Sequence, residues 1–126
     1  MSMFEVEGLA RLEADLAGAA RHVQVGASRV VAKGAQNIKD DAAQRVSGLR
    51  HAPALPAALS YDVKWGGGAV EAEIGFDKGR PQGALGNLIE YGSANNPPHA
   101  PLGKALEAEA PRFAQAIDEL AGEALS

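Results

Sequence analysis

Cysteine is missing from the 126 residues, which excludes disulfides, thiolate metal sites and cysteine nucleophiles and permits reducing surroundings. Aromatic residues are scarce at 5%, so the core has few large side chains to build on. No apolar run approaches the length of about 18 residues that a membrane-spanning helix needs. Bases are outnumbered, 12 Lys+Arg against 16 Asp+Glu, for a formal net charge of -4. They are also scattered and not interleaved with aromatics, which argues against phosphate-backbone binding as the main task. Met1 to Glu7 carries acids where a secretory leader carries bases. The expectation is a soluble, acidic protein that stays in the cell that makes it.

Catalytic signatures are absent too. His22, His51 and His99 lie far apart and show no metal-ligand spacing. Gly66-Gly67-Gly68 has no following Lys-Ser/Thr and sits between two strand-like segments, so it reads as a turn and not a phosphate cradle. Ser47, Ser60 and Ser93 lack the glycine setting of a nucleophile elbow. Asp40-Asp41 and Glu71/Glu73 pair carboxylates, but on amphipathic elements they read as a solvated face. The sequence thus points to no catalytic, cofactor-binding or metal residues and to no enzyme.

What is present is small and periodic. The chain has 26 Ala and 15 Gly within a 46% hydrophobic share, enough for one domain spanning residues 1–126. Such a core gains little burial per residue, so stability rests on many small contacts or partly on neighbouring subunits.

From Leu9 to Val46, apolar residues recur in steps of three or four: Leu9, Leu12, Leu16, Ala19, Val23, Ala27, Val30, Gly34, Ile38, Ala42, Val46. This spacing predicts one helix of roughly 40 residues, about 60 Å long, or two helices broken near residues 18–22. Gly18, Gly26 and Gly34 lie close to the stripe, where a missing side chain lets another backbone pack tightly. Two uses of that helix fit the pattern equally: projecting onto other copies or partners, or folding back over its own sheet.

Gly48 suits a left-handed helix cap, and Pro53 and Pro56 enforce a non-helical linker. Leu59, Tyr61, Val63 and Trp65 then alternate with polar residues, as do Val70, Ala72, Ile74 and Phe76 beyond the glycine triplet. Period two on both sides of a turn predicts an antiparallel hairpin, with Tyr61, Trp65 and Phe76 anchoring the core. Asp77–Gly86 reads as an exposed loop, and Asn87–Gly92 as either a helical turn or a strand. Leu102, Leu106, Ala110, Phe113, Ile117, Leu120 and Ala124 mark a second amphipathic helix, which Pro111 either kinks or restarts. The predicted fold class is α+β: a long N-terminal helix, a small antiparallel sheet built on the hairpin, and a C-terminal helix packed on the sheet.

Leu88-Ile89-Glu90-Tyr91-Gly92-Ser93 resembles the apolar-apolar-Glu-aromatic-Gly-Thr/Ser signature of a bacteriophage tail-component family. These are the small neck, or tail-completion, proteins of phages with long non-contractile tails. In that family a proline-bearing loop and an Ala/Leu/Glu-rich helix follow; here Pro97-Pro98-His99-Ala100-Pro101 and Lys104 to Glu109 occupy those places. The order of elements matches along nearly the whole chain. The family's Thr-Gly segment before the hairpin is missing from Ala52-Pro53-Ala54-Leu55-Pro56.

The resemblance implies a structural virion protein, a homo-oligomeric ring at the head-tail junction that completes the tail and joins it to the head connector. Its partners would be other neck, connector and tail-tube proteins, in the virion and, during assembly, in the host cytoplasm. DNA would pass through the lumen without specific binding, and a ring of about six or twelve copies is expected. Interface positions are expected on the long helix, at Leu12, Leu16, Val23 and Val30, and around Ile89, Glu90, Tyr91 and Gly92. A tail terminator ring capping the tail tube is the nearest alternative. A small non-phage protein-binding module is the alternative from a different class.

Overall fold

The computed structural model describes residues 6–16, 18–95 and 97–125. The elements run β1 (Val6–Asp15), α1 (Arg21–Arg45), β2 (Leu59–Gly66), β3 (Ala69–Asp77), α2 (Gly86–Tyr91) and α3 (Pro101–Leu125), with short 3-10 turns at Pro56–Ala58 and Gly83–Leu85. The fold is α+β: a three-stranded antiparallel sheet in the order β1-β3-β2, with the long helix and the C-terminal helix packed on it. The hairpin forms as its alternation predicts, Leu59 facing Phe76 and Trp65 facing Val70 across the glycine turn.

The first strand corrects the helical reading of residues 9–16. Leu9, Leu12 and Leu16 fit a helical interval, but Ala10, Leu12, Ala14 and Leu16 also alternate with Arg11, Glu13 and Asp15. The second period prevails because β3 has a free edge once β2 is paired, and its backbone groups need partners when buried. Register then sets Ala10 against Ile74, Leu12 against Ala72 and Ala14 against Val70, after an irregularity between Glu7 and Leu9. All those side chains share one face of the sheet, and that face is the core.

After β1 the chain turns through Gly18, whose φ is +77°, and α1 begins. It is 25 residues long, about 37 Å at 1.5 Å per residue, and it folds back over its own sheet. Ala27, Val31, Gly34, Ala35, Ile38 and Ala42 face the core. Val31 takes the fully buried position that the spacing assigned to Val30, which is half-buried. Gly48 carries a φ of +79° just past the helix, the left-handed cap expected there.

α3 runs from Pro101 through Pro111 to Leu125 as one helix. It packs mainly along α1 and lies toward β1, whereas α1 lies over β3 and β2. Two helical glycines allow the close approach. A Cβ on Gly26 would stand 2.6 Å from Leu120 Cδ1, and one on Gly34 would stand 2.6 Å from Leu12 Cδ1. Real carbons do not approach that closely, so glycine at these sites is what lets the layers meet. Between the helices Glu109 is 3% exposed. It accepts hydrogen bonds from Asn37 Nδ2 at 3.2 Å and Arg112 Nε at 2.9 Å, which satisfies its buried carboxylate.

Phe76 lies fully inside and Tyr61 is half-buried, as an anchoring role requires, but Trp65 is 50% exposed. Trp65 is the next-to-last residue of β2, beside the first turns of α1 and beyond the cover of the core. The loop after β3 is also more anchored than an exposed loop. Asp77 Oδ1 accepts from Gly79 N at 2.8 Å, Arg80 donates to the carbonyls of Ala57 and Leu59, and Gln82 Oε1 accepts from Ala54 N at 2.6 Å. These bonds fasten the proline linker, with Leu55 and Ala58 fully buried, to the end of the sheet.

Candidate functional site

Leu88 to Tyr91 lie in α2 and Gly92 caps it, so the ambiguity of Asn87–Gly92 between turn and strand resolves as helix. Gly86 opens it against Phe76, where an added Cβ would collide with the ring. Ile89 packs half-buried against the core. Glu90 is 6% exposed and reaches across to α3. Its Oε1 accepts from Leu102 N at 2.8 Å and its Oε2 from Gly103 N at 3.1 Å. Both donors belong to the first turn of α3, whose N–H groups have no partner inside the helix. A carboxylate there also meets the positive end of the helix dipole.

The backbone adds a third tie, His99 N donating to Ile89 O at 2.9 Å. Gly92 closes α2 at φ +77°, ψ −175°, a conformation essentially confined to glycine. The polar centre of the signature therefore works inward. Its apolar flanks turn outward: Leu88 is 51% and Tyr91 62% exposed, with Leu85 beside them on the preceding turn.

The other residues expected at an interface separate into two places. Leu12 and Leu16 belong to the core, Leu12 on β1 and Leu16 just past its end, and neither on a helix. Leu16 and Val23 also line one groove, of about 480 Å³, between the end of β1, the start of α1 and the second half of α3. Val30 lies half-buried where α1 meets α3, near Phe113 and Arg112. This groove lies near the hairpin turn, since Leu16 N donates to Gly68 O. α2 lies at the far end of β3, roughly 27 Å away at 3.4 Å per residue. Leu16 and Val23 are thus brought together, as are Ile89, Glu90, Tyr91 and Gly92, and the two groups stand at opposite ends of the central strand.

The outer face of the sheet is charged. Glu73, 1% exposed, holds Lys64 Nζ at 2.6 Å and Arg11 Nη2 at 3.6 Å, while Glu71 meets Lys64 at 3.6 Å. The hydrogen bond to Glu73, reinforced by the charges of Glu73 and Glu71, raises the Lys64 ammonium above its ordinary value of 10.5. Glu71 and Glu73 are thus engaged with bases, and Asp41 pairs with Arg45 at 2.8 Å one helical turn away. His22, His51 and His99 are all exposed. Among the described residues no three His, Asp or Glu side chains converge as metal ligands would, and no helix is long and apolar enough to cross a membrane.

Sequence reasoning missed two features: the exposure of Trp65 and the inward role of Glu90. A signal existed for the second, because Pro101 marks a helix start that needs an acceptor for its first N–H groups. The chain matches no family model, no curated protein and no solved structure.

Proposed function

We propose that this chain is a structural subunit of a bacteriophage particle, one copy of a ring at the head-tail junction that completes the tail and joins it to the connector. The observation that carries this reading is the form of the Leu88–Ser93 segment. Its glutamate is spent inside the subunit, bonded to the start of α3, and its large apolar side chains are presented to solvent. Leu88 and Tyr91, with Leu85 beside them, offer exposed apolar surface on a helix tied to the core and to α3, which suits contact with another surface.

In the ring, α2 provides contact with a neighbouring neck or tail protein, and the acidic chain lets DNA pass without holding it. The test is made on particles: purified virions are analysed by peptide mass spectrometry, with this chain counted against the major capsid protein. About six or twelve copies per particle is the outcome for a closed ring. Its absence from clean, infectious particles would sink the reading and favour a small protein-binding module.

A further inference from the structure

The order β1-β3-β2 leaves β2 at an edge of the sheet, and among the described residues no strand pairs with its outer side. Gly67 and Gly68 carry φ of +58° and +79°, the left-handed pair of a two-residue hairpin turn, so Gly66 and Ala69 exchange backbone hydrogen bonds across it. Bonded and non-bonded positions alternate along an antiparallel pair. Gly66, Lys64, Asp62 and Ser60 therefore bond to β3, while the N–H and C=O groups of Trp65, Val63, Tyr61 and Leu59 point away from it. Arg80 donates to the Leu59 carbonyl at 3.1 Å, which fits that register. No described residue bonds to the outward backbone groups of Tyr61, Val63 and Trp65. The strand has no proline and pairs with β3 without a bulge, so two of the usual devices that stop a further strand from adding are missing.

Beside the end of this edge, between Trp65 and the first turns of α1, lies a concavity of about 410 Å³. Arg21, Gln24, Val25, Ser28, Arg29 and Trp65 line it, and no carboxylate does. Both guanidinium groups and the indole N–H can only donate. Arg21 and Arg29 are exposed and form no ion pair with a described residue. Glu123 lines an adjoining concavity with the same arginines, together with Gly26 and Leu120 where α1 meets α3, and so leaves the Trp65 side without an acid.

We infer that the open edge of β2 receives an extended, acidic segment of another protein as a further strand of the sheet. The outward groups of Tyr61, Val63 and Trp65 hold its backbone, its carboxylates meet Arg21 and Arg29, and its apolar side chains cover Trp65 and Val25. Backbone pairing alone accepts any extended chain; the arginines select an acidic one and reject a basic one. The β2 edge of a second copy does not supply that charge, since β2 carries one acid and one base, Asp62 and Lys64. The inference goes beyond the ring reading, and its test uses the purified chain and not particles, so either can fail without the other.

Random peptides of about twelve residues, longer than β2, are displayed on ribosomes and selected on the full-length chain, with Val63→Pro as the counter-selection. Proline there removes an outward N–H and no bond to β3. The enriched peptides carry a net negative charge. A synthetic one without tryptophan changes the emission of Trp65, the only tryptophan of the chain, and slows hydrogen exchange at the Tyr61, Val63 and Trp65 amides. Changing Arg21 and Arg29 together to Glu weakens its binding at least about tenfold, and high salt weakens it as well. Enriched peptides with no excess of acid, or with equal affinity for the double Glu variant, would overturn the inference, as would a selection that yields no peptide. Circular dichroism checks that the variants fold; if Val63→Pro does not, the exchange rates of the parent decide, and unslowed amides overturn the inference. Self-association of the chain that protects the same three amides without peptide would assign the edge to a second copy and overturn it too.

Discussion

Glu90 ties α2 to the start of α3. It is nearly buried and accepts two N–H groups of α3, so truncation leaves both donors without a partner. Glu90→Ala is expected to lower the unfolding free energy by about 2–3 kcal/mol, and Glu90→Gln by about 1 kcal/mol because one acceptor oxygen remains. Urea titrations followed by circular dichroism measure both; an unchanged midpoint for Glu90→Ala would refute the capping role. Lys64 makes a prediction in pH. Its folded pKa lies above 10.5 because of the Glu73 hydrogen bond. Its contribution is therefore complete below pH 10.5 and is lost as pH rises through the folded value. Lys64→Met is expected to show a shallower alkaline loss of stability than the parent, read as midpoints on either side of pH 10.5.

Between elements, the decisive contact is α1 against α3 and β1, and it is made by absence of side chain. Gly34 lies under Leu12 and Phe113, and Gly26 under Leu120. Gly34→Ala improves helix propensity by about 1 kcal/mol but forces Leu12 aside, and overpacking costs typically about 1–3 kcal/mol. The single variant is expected to be destabilised by roughly 1 kcal/mol. In a Leu12→Ala background the added methyl enters the space vacated, and the same change becomes neutral or stabilising. A double-mutant cycle by chemical denaturation reads the difference; additive effects would mean that Gly34 and Leu12 are not in contact. Leu12→Asp, which on a projecting helix would probe an interface, instead places a charge in the core and is expected to unfold the chain.

For the whole molecule, one core holds α2 at one end of β3 and the groove of Leu16 and Val23 near the other. The exposed pair on α2 is independent of folding. Leu88→Asp combined with Tyr91→Ser is expected to leave the melting temperature within a few degrees of the parent, since exposed substitutions usually change stability by less than about 0.5 kcal/mol. If the chain is the particle subunit proposed above, its incorporation into particles, measured by complementation and mass spectrometry, is expected to fall at least about tenfold in this variant. Full incorporation of that double variant would remove α2 from the assembly surface.

Local chemistry determined much of this protein. The alternation around Gly66-Gly67-Gly68, the left-handed turn at Gly48 and the three-to-four spacing of Ala27, Val30, Gly34, Ile38 and Ala42 each specify their element within a few residues of chain, and the structure agrees except at Val30, whose place in the core Val31 takes. The absence of cysteine and the lack of any catalytic motif were likewise matters of residues alone. Tertiary structure decided what local pattern left degenerate. Residues 9–16 satisfy both a helical and a strand period, and only the open edge of β3, more than fifty residues away, selects the strand. Whether Trp65 is core or surface depends on how far the first turns of α1 cover the end of β2. Whether Glu90 faces a partner or the start of α3 depends on a helix that begins eleven residues later. Each is settled by the pairing of groups distant in sequence, which no local periodicity encodes.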